Sequence, residues 1–90
     1  MWYVYFLKSQ VKKNWVYVGS TNNLNRRLKE HQAGESLATR PYLPLYIDAF
    51  IGVYTEQKAR ELEKYLKVGS GKAILKKRIL TDEAPSLLGA

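Results

Sequence analysis

The chain has 90 residues, 46% hydrophobic and 26% charged, which makes one globular domain with a modest core and excludes the low-hydrophobicity signature of disorder. It has no cysteine, which excludes a disulfide framework, a thiolate zinc site and a cysteine nucleophile. Fifteen Lys and Arg against eight Asp and Glu give a net charge of +7, and that excess on a small surface favours a polyanionic partner, nucleic acid above all, over a merely basic soluble protein.

Trp2–Leu7 is aromatic and β-branched and reads as a strand. It is apolar on both alternating faces, as a strand covered on both sides is. The run is too short for a signal-peptide core and no basic residue precedes it. No stretch approaches the length of a membrane span, so a cytoplasmic protein without a membrane partner is expected. Binding to a membrane surface would need an exposed amphipathic basic helix, and the helices predicted below use their apolar faces for a core.

A polar turn, residues 8–14, leads to a second strand at Trp15–Val18, ended by Gly19. So short a connection favours an antiparallel hairpin over a crossover. Ser20 to Asn23 offers several N-caps for a helix over Leu24–Ala33, stopped by Gly34. Gly34–Pro44, with two prolines, is a loop, and Leu45–Ile51 a third strand. Thr55 caps a second helix reaching about Val68, with Ala59, Leu62 and Leu66 as its stripe. Gly69-Ser70-Gly71 breaks it, and Lys72–Leu80 forms a short third helix. Pro85 and Gly89 mark residues 81–90 as a C-terminal tail behind a domain over residues 1–80. The expected fold is α/β: a small three-stranded, mainly antiparallel sheet flanked by helices in the order ββαβαα. Charge is uneven along it. Residues 1–55 carry seven basic and three acidic groups, residues 56–80 eight and three, and the tail two acidic ones.

Helical phase, about 100° per residue, selects among the charged side chains. In the first helix Arg27 and His31 border the Leu24/Leu28 stripe, while Arg26 falls on the opposite side. In the second, Glu63 borders the Ala59/Leu62/Leu66 stripe, while Glu61 faces away. A charge at a core margin is costly unless partnered. An Arg27–Glu63 salt bridge with His31 packed beside it is one resolution; a cleft where an anion-binding arginine, a carboxylate and a histidine converge is the other. Seven tyrosines are many for 90 residues. Tyr3, Tyr5 and Tyr17 lie on the two paired strands, but which face each occupies depends on register. A cleft tyrosine beside an arginine has a lowered pKa and can act as a base.

The ordered set Tyr3-Val4-Tyr5, Tyr17-Val18-Gly19, Ser-Thr-Asn-Asn-Leu-x-Arg-Arg-Leu-x-x-His ending at His31, and Glu63-Lys64-Tyr65-Leu66-Lys67 resembles the GIY-YIG endonuclease superfamily. It is most similar to the small single-domain bacterial branch, related to the nuclease domain of the excision-repair endonuclease. The resemblance spans about residues 2–80. Tyr3 stands where the first tripeptide has glycine, and Val4 and Val18 replace isoleucine. Ser20 stands where some of these nucleases carry an activating lysine.

The resemblance implies phosphodiester hydrolysis with one divalent metal, Mg²⁺ or Mn²⁺, on nucleic acid, with DNA favoured and DNA repair as the setting. It implies Tyr17 as general base and Tyr5 lining the site. Arg27 would hold the phosphate, and Glu63 would ligate the metal. His31 would contact phosphate or assist proton transfer, and Gly19 would let substrate approach the backbone. One carboxylate leaves most of a metal shell to water and phosphate, which suits a hard cation that keeps its waters. Lys64, Lys67, Lys72, Lys76, Lys77 and Arg78 are candidates to track the strand, with Arg40 in the loop; for any one of them a solvated surface is the blander alternative. Gly69-Ser70-Gly71-Lys72 lacks the first glycine of a phosphate loop, Leu66 standing there, and follows a helix instead of a strand. Two other functions compete with the endonuclease: a nucleic-acid-binding module that does not cut, and a scaffold for a nuclease partner.

Overall fold

A three-stranded sheet between one helix on one face and two on the other organises the protein, seen in a computed structural model that describes residues 1–81. The elements are β1 (Trp2–Ser9), β2 (Val16–Thr21), α1 (Leu24–Gln32), β3 (Leu45–Val53), α2 (Glu56–Leu66) and α3 (Gly69–Ile74). A π-helical stretch, Leu75–Ile79, continues α3, and a 3-10 turn, Arg40–Tyr42, interrupts the loop after α1. The order is the expected ββαβαα. Beyond Thr81 the expected tail lies outside the described residues.

The strand order is β2-β1-β3, antiparallel throughout, which puts β1 in the centre. This accounts for its doubly apolar sequence: Val4, Phe6 and Leu7 are 0% exposed and Tyr5 is 2% exposed. The register sets Tyr5 opposite Gly19 and Leu7 opposite Tyr17, with Phe6 opposite Val18 and Val4 opposite Ser20. Directly opposed residues share a face. Tyr5, Leu7 and Tyr17 therefore look toward α1 and the loop, packing with Leu24, Leu28, Leu45 and Ile47. Val4, Phe6 and Val18 look toward α2 and α3, packing with Ala59, Leu66 and Leu75.

Capping follows the expected residues. Asn23 accepts from the Arg26 N–H at 3.0 Å to start α1, and Thr55 accepts from the Lys58 N–H at 3.1 Å to start α2. Two expectations are corrected. Gly19 does not end β2, which runs on to Thr21 with its pairing to β1 intact. The second helix does break ahead of Gly69-Ser70-Gly71, but these residues are the first turn of α3, which starts at Gly69 and not at Lys72. Gly69 opens α3 with a φ of +57°, a conformation glycine adopts readily. Gly71 is buried against the end of α2, where a Cβ would lie 2.0 Å from the Tyr65 carbonyl oxygen. Gly71 serves close helix packing and Gly69 the positive φ, so their poor helix propensity misleads.

Candidate active site

At the β2 edge the two faces of the sheet meet in a cleft of about 380 Å³. Tyr5, Tyr17, Arg27 and Glu30 line it from the α1 side, and Ser20 and Glu63 from the α2 side. Arg26 and Arg60 also line it, so three arginines face two carboxylates. The alternation of β2 explains how one strand serves both sides: Tyr17 and Gly19 point to one face, Ser20 to the other.

On the α1 side the hydrogen bonds run inward from the cleft. Arg27 Nη1 donates to Glu30 Oε1 at 3.0 Å, and its Nε donates to Tyr5 Oη at 3.3 Å. Tyr5 Oη lies 2.9 Å from His31 Nε2, and His31 Nδ1 lies 2.8 Å from Thr39 Oγ1. Both His31 and Thr39 are 0% exposed. Burial, then the positive charge of Arg27, pushes the His31 imidazole down to about 4, with Glu30 opposing weakly. His31 is therefore neutral at pH 7. Burial pushes the Tyr5 phenol up to about 12 despite the Arg27 hydrogen bond, which lowers it. Tyr5 thus keeps its proton at neutral pH. Arg27 stays charged, since its bonds to Glu30 and Tyr5 outweigh the cost of its partial burial.

On the α2 side Glu63 has both oxygens engaged. Ser20 Oγ donates to Oε1 at 2.7 Å, and Lys67 Nζ donates to Oε2 at 2.6 Å. Burial alone would raise the Glu63 carboxyl, but these bonds, with the charges of Lys67 and Arg60, hold it below the ordinary value. It is an ionised, oriented carboxylate in a largely protected position, its side chain 18% exposed. Among the described residues no three His, Cys, Asp or Glu gather to hold a metal. A hard cation at Glu63 would take one protein oxygen and fill its shell with water and phosphate oxygens, a binding mode that suits Mg²⁺ better than a dedicated protein cage. The donor set fits such a group, and Lys67 would have to yield one carboxylate oxygen to it.

The expected site residues separate as follows. Tyr5, Tyr17, Gly19, Arg27 and Glu63 come together at the cleft. The Arg27–Glu63 salt bridge does not form; Arg27 pairs with Glu30 and Glu63 with Lys67. His31 is sealed behind Tyr5, so direct contact with a phosphate is ruled out by its burial, and only its link to Tyr5 connects it to the cleft. The space above Gly19 is filled by tyrosine, not open to substrate: a Cβ there would lie 2.5 Å from Tyr5 Oη and 2.9 Å from Tyr17 Cε2.

Of the basic candidates, Lys67, Lys72 and Lys76 border one small apolar groove with Leu66, Leu75 and Leu80. Lys67 also donates to Glu63 at 2.6 Å. Lys64, Lys77 and Arg78 are exposed and lie outside the groove, and Arg40, which donates from Nε to the Gly34 carbonyl at 2.7 Å, does not line the cleft.

Sequence reasoning missed Ser20, Arg26 and Arg60. Arg26 was expected to face water; it is exposed and also lines the cleft. Arg60 sits over the Trp2 ring, 5.8 Å from its centroid, and donates to Glu56 at 3.1 Å. Its spacing of three residues from Glu63 on α2 was the available signal.

A family model described as the GIY-YIG catalytic domain matches residues 1–78. No curated protein and no solved structure gives a significant match.

Proposed function

The chain belongs to the GIY-YIG catalytic-domain family, a family of nucleases, and on that premise we propose that it is a metal-dependent endonuclease that hydrolyses phosphodiester bonds in DNA. The observation that carries this proposal is the convergence of Tyr17, Arg27 and Glu63, from β2, α1 and α2, on one arginine-lined cleft.

In the proposed mechanism the two tyrosines divide the work. Tyr5 is buried, bonded to Arg27 and His31, and holds its proton, so it donates or positions but does not abstract. Tyr17 is half-exposed in the cleft and is the general base that takes a proton from the attacking water. An ordinary phenol ionises near pH 10 and is a weak base at neutral pH. Arg27 has five N–H donors, of which Glu30 and Tyr5 occupy two. The others are available to the phosphate, whose charge grows as water adds to phosphorus. Arg26 and Arg60 hold the flanking phosphates at the rim. Glu63 would hold the metal, which supplies charge stabilisation to the leaving oxygen. Ser20 keeps the Glu63 carboxylate turned into the cleft.

The test is incubation with supercoiled plasmid and with branched and flap DNA, in Mg²⁺ or Mn²⁺ and in EDTA. Metal-dependent nicking that is lost in Tyr17→Phe is the expected result. Binding without cleavage in every metal would leave a non-cutting binding module.

A further inference from the structure

Tyr17 belongs to two assemblies at once. It lines the cleft, and on the same face of β2 its ring runs nearly parallel to Trp15, with centroids 6.5 Å apart and planes at 20°. Trp15 in turn stacks on Tyr42 at 4.5 Å and 22°. Tyr5 leans on Tyr17 at 6.3 Å, so four rings form a row that ends at Arg27 in the cleft. Tyr42 is carried by the 3-10 turn that also holds exposed Arg40 and Pro41. That turn is braced to β1 by Ser9, whose Oγ donates to the Tyr42 carbonyl at 2.6 Å.

These rings cover the second core, but packing alone does not call for their chemistry. Trp15, Tyr17 and Tyr42 are each left partly open to solvent. A core lid would be served as well by buried aliphatic side chains. Flat, near-parallel aromatics beside a phosphate-binding cleft on a chain of net charge +7 fit a different occupant. Every nucleobase has a π-face, and stacking on protein aromatics is how single strands are held without regard to sequence. A paired, stacked duplex does not offer those faces.

We propose that Trp15 and Tyr42, with Arg40 beside them, form a stacking platform for unpaired nucleobases next to the scissile phosphate. The substrate is then a strand that is single-stranded on at least one side of the cut. This assignment rests on the nuclease reading for the position of the cut, whereas the stacking itself does not need cleavage.

The test uses binding in EDTA, so that nothing is cut, with Trp2→Phe as the background so that Trp15 is the only tryptophan. Its fluorescence is followed on titration with oligo-dT, oligo-U and a hairpin duplex of equal phosphate count. The expected result is quenching by one or both single strands, with affinity about tenfold above that for the duplex. Trp15→Ala, followed by the anisotropy of labelled oligonucleotides because it leaves no tryptophan, and Tyr42→Leu should each bring that ratio toward one, and Arg40→Gln should weaken single-strand binding with a reduced salt slope. The two single strands distinguish DNA from RNA. Two aromatic variants guard against one failing to fold, as circular dichroism would reveal. Equal affinity for duplex and single strand, or a ratio untouched by a folded variant, overturns the proposal. Cleavage of forked DNA is measured in parallel with Mg²⁺. Preferential binding through Trp15 without any cleavage would support the platform and overturn the nuclease reading; indiscriminate cutting of duplex and single strand would do the reverse.

Discussion

Ser20 Oγ donates a 2.7 Å hydrogen bond to Glu63 Oε1, tying the end of β2 to α2 across the face of the sheet opposite α1. Two halves of the cleft are built on different faces, and this bond helps fix their relation. Ser20→Ala removes one of the two donors that orient the Glu63 carboxylate. Losses at such supporting positions typically run from 10- to 100-fold. We expect about a tenfold rise in the Mn²⁺ concentration that half-saturates cleavage, matched by weaker Mn²⁺ binding in calorimetry. A variant that binds Mn²⁺ as wild type does would remove Ser20 from this role.

His31 makes stability depend on pH. Its imidazole is held down to about 4 by burial and by Arg27, whereas in the unfolded chain it protonates near 6.5. Between those values the unfolded state binds more protons, so stability rises with pH there. The contribution is fully present above about pH 6.5 and is lost as pH falls toward 4, an effect of about 3 kcal/mol in all. Urea midpoints at pH 7.5, 5.5 and 4.5 check it. His31→Gln should be less stable at pH 7.5 yet flatter across the series; parallel curves for the two proteins would contradict the assignment.

Two glycines differ in what a methyl group would strike. At Gly19 it meets the Tyr5 and Tyr17 rings, at Gly71 the backbone carbonyl of Tyr65. Side chains yield more readily than backbone, so Gly71→Ala should lose more stability than Gly19→Ala, for which about 1–3 kcal/mol is expected. Gly19→Ala should instead lose cleavage out of proportion to stability, because it displaces the tyrosines at the cleft. Denaturation and cleavage measured on both variants separate these outcomes.

Arg27 is the cation nearest Tyr5 and shares the cleft with Tyr17. Arg27→Ala should slow single-turnover cleavage by roughly 10²- to 10³-fold, the usual cost of a donor to a developing negative charge. Arg27→Lys should recover only part of this, since an ammonium cannot reproduce the forked donors that reach Glu30 and Tyr5 together. Full activity in Arg27→Lys would reduce its role to net charge.

Much of this arrangement was legible in the chain. The doubly apolar run at Trp2–Leu7 marked a strand covered on both faces, and the caps offered by Ser20 to Asn23 and by Thr55 marked the helix starts. Helical phase turned Arg27 and Glu63 toward the cleft and left Glu61 on the surface, where it meets Lys58. What phase does not carry is depth or partnership. It put His31 at the margin of the core, but its complete burial depends on Tyr5 and Thr39, distant in sequence. Register was equally hidden, so the pairing of Tyr5 with Gly19, which fills the space over that glycine, could not be read. Arg26 escaped because the cleft opens between α1 and α2, so a residue turned from its own helix's apolar stripe still lines it.

The proposed mechanism requires Glu63 to hold the metal that cleavage needs. Glu63→Gln keeps the size of the side chain and can still accept from Ser20, but removes the negative charge. Single-turnover cleavage of a labelled forked DNA, wild type against Glu63→Gln across a Mg²⁺ series, tests this most directly. Wild-type cleavage should vanish in EDTA, and the variant should stay at the EDTA level at every Mg²⁺ concentration. Wild-type cleavage that persists in EDTA, or a variant that cuts at the wild-type rate, would contradict that requirement.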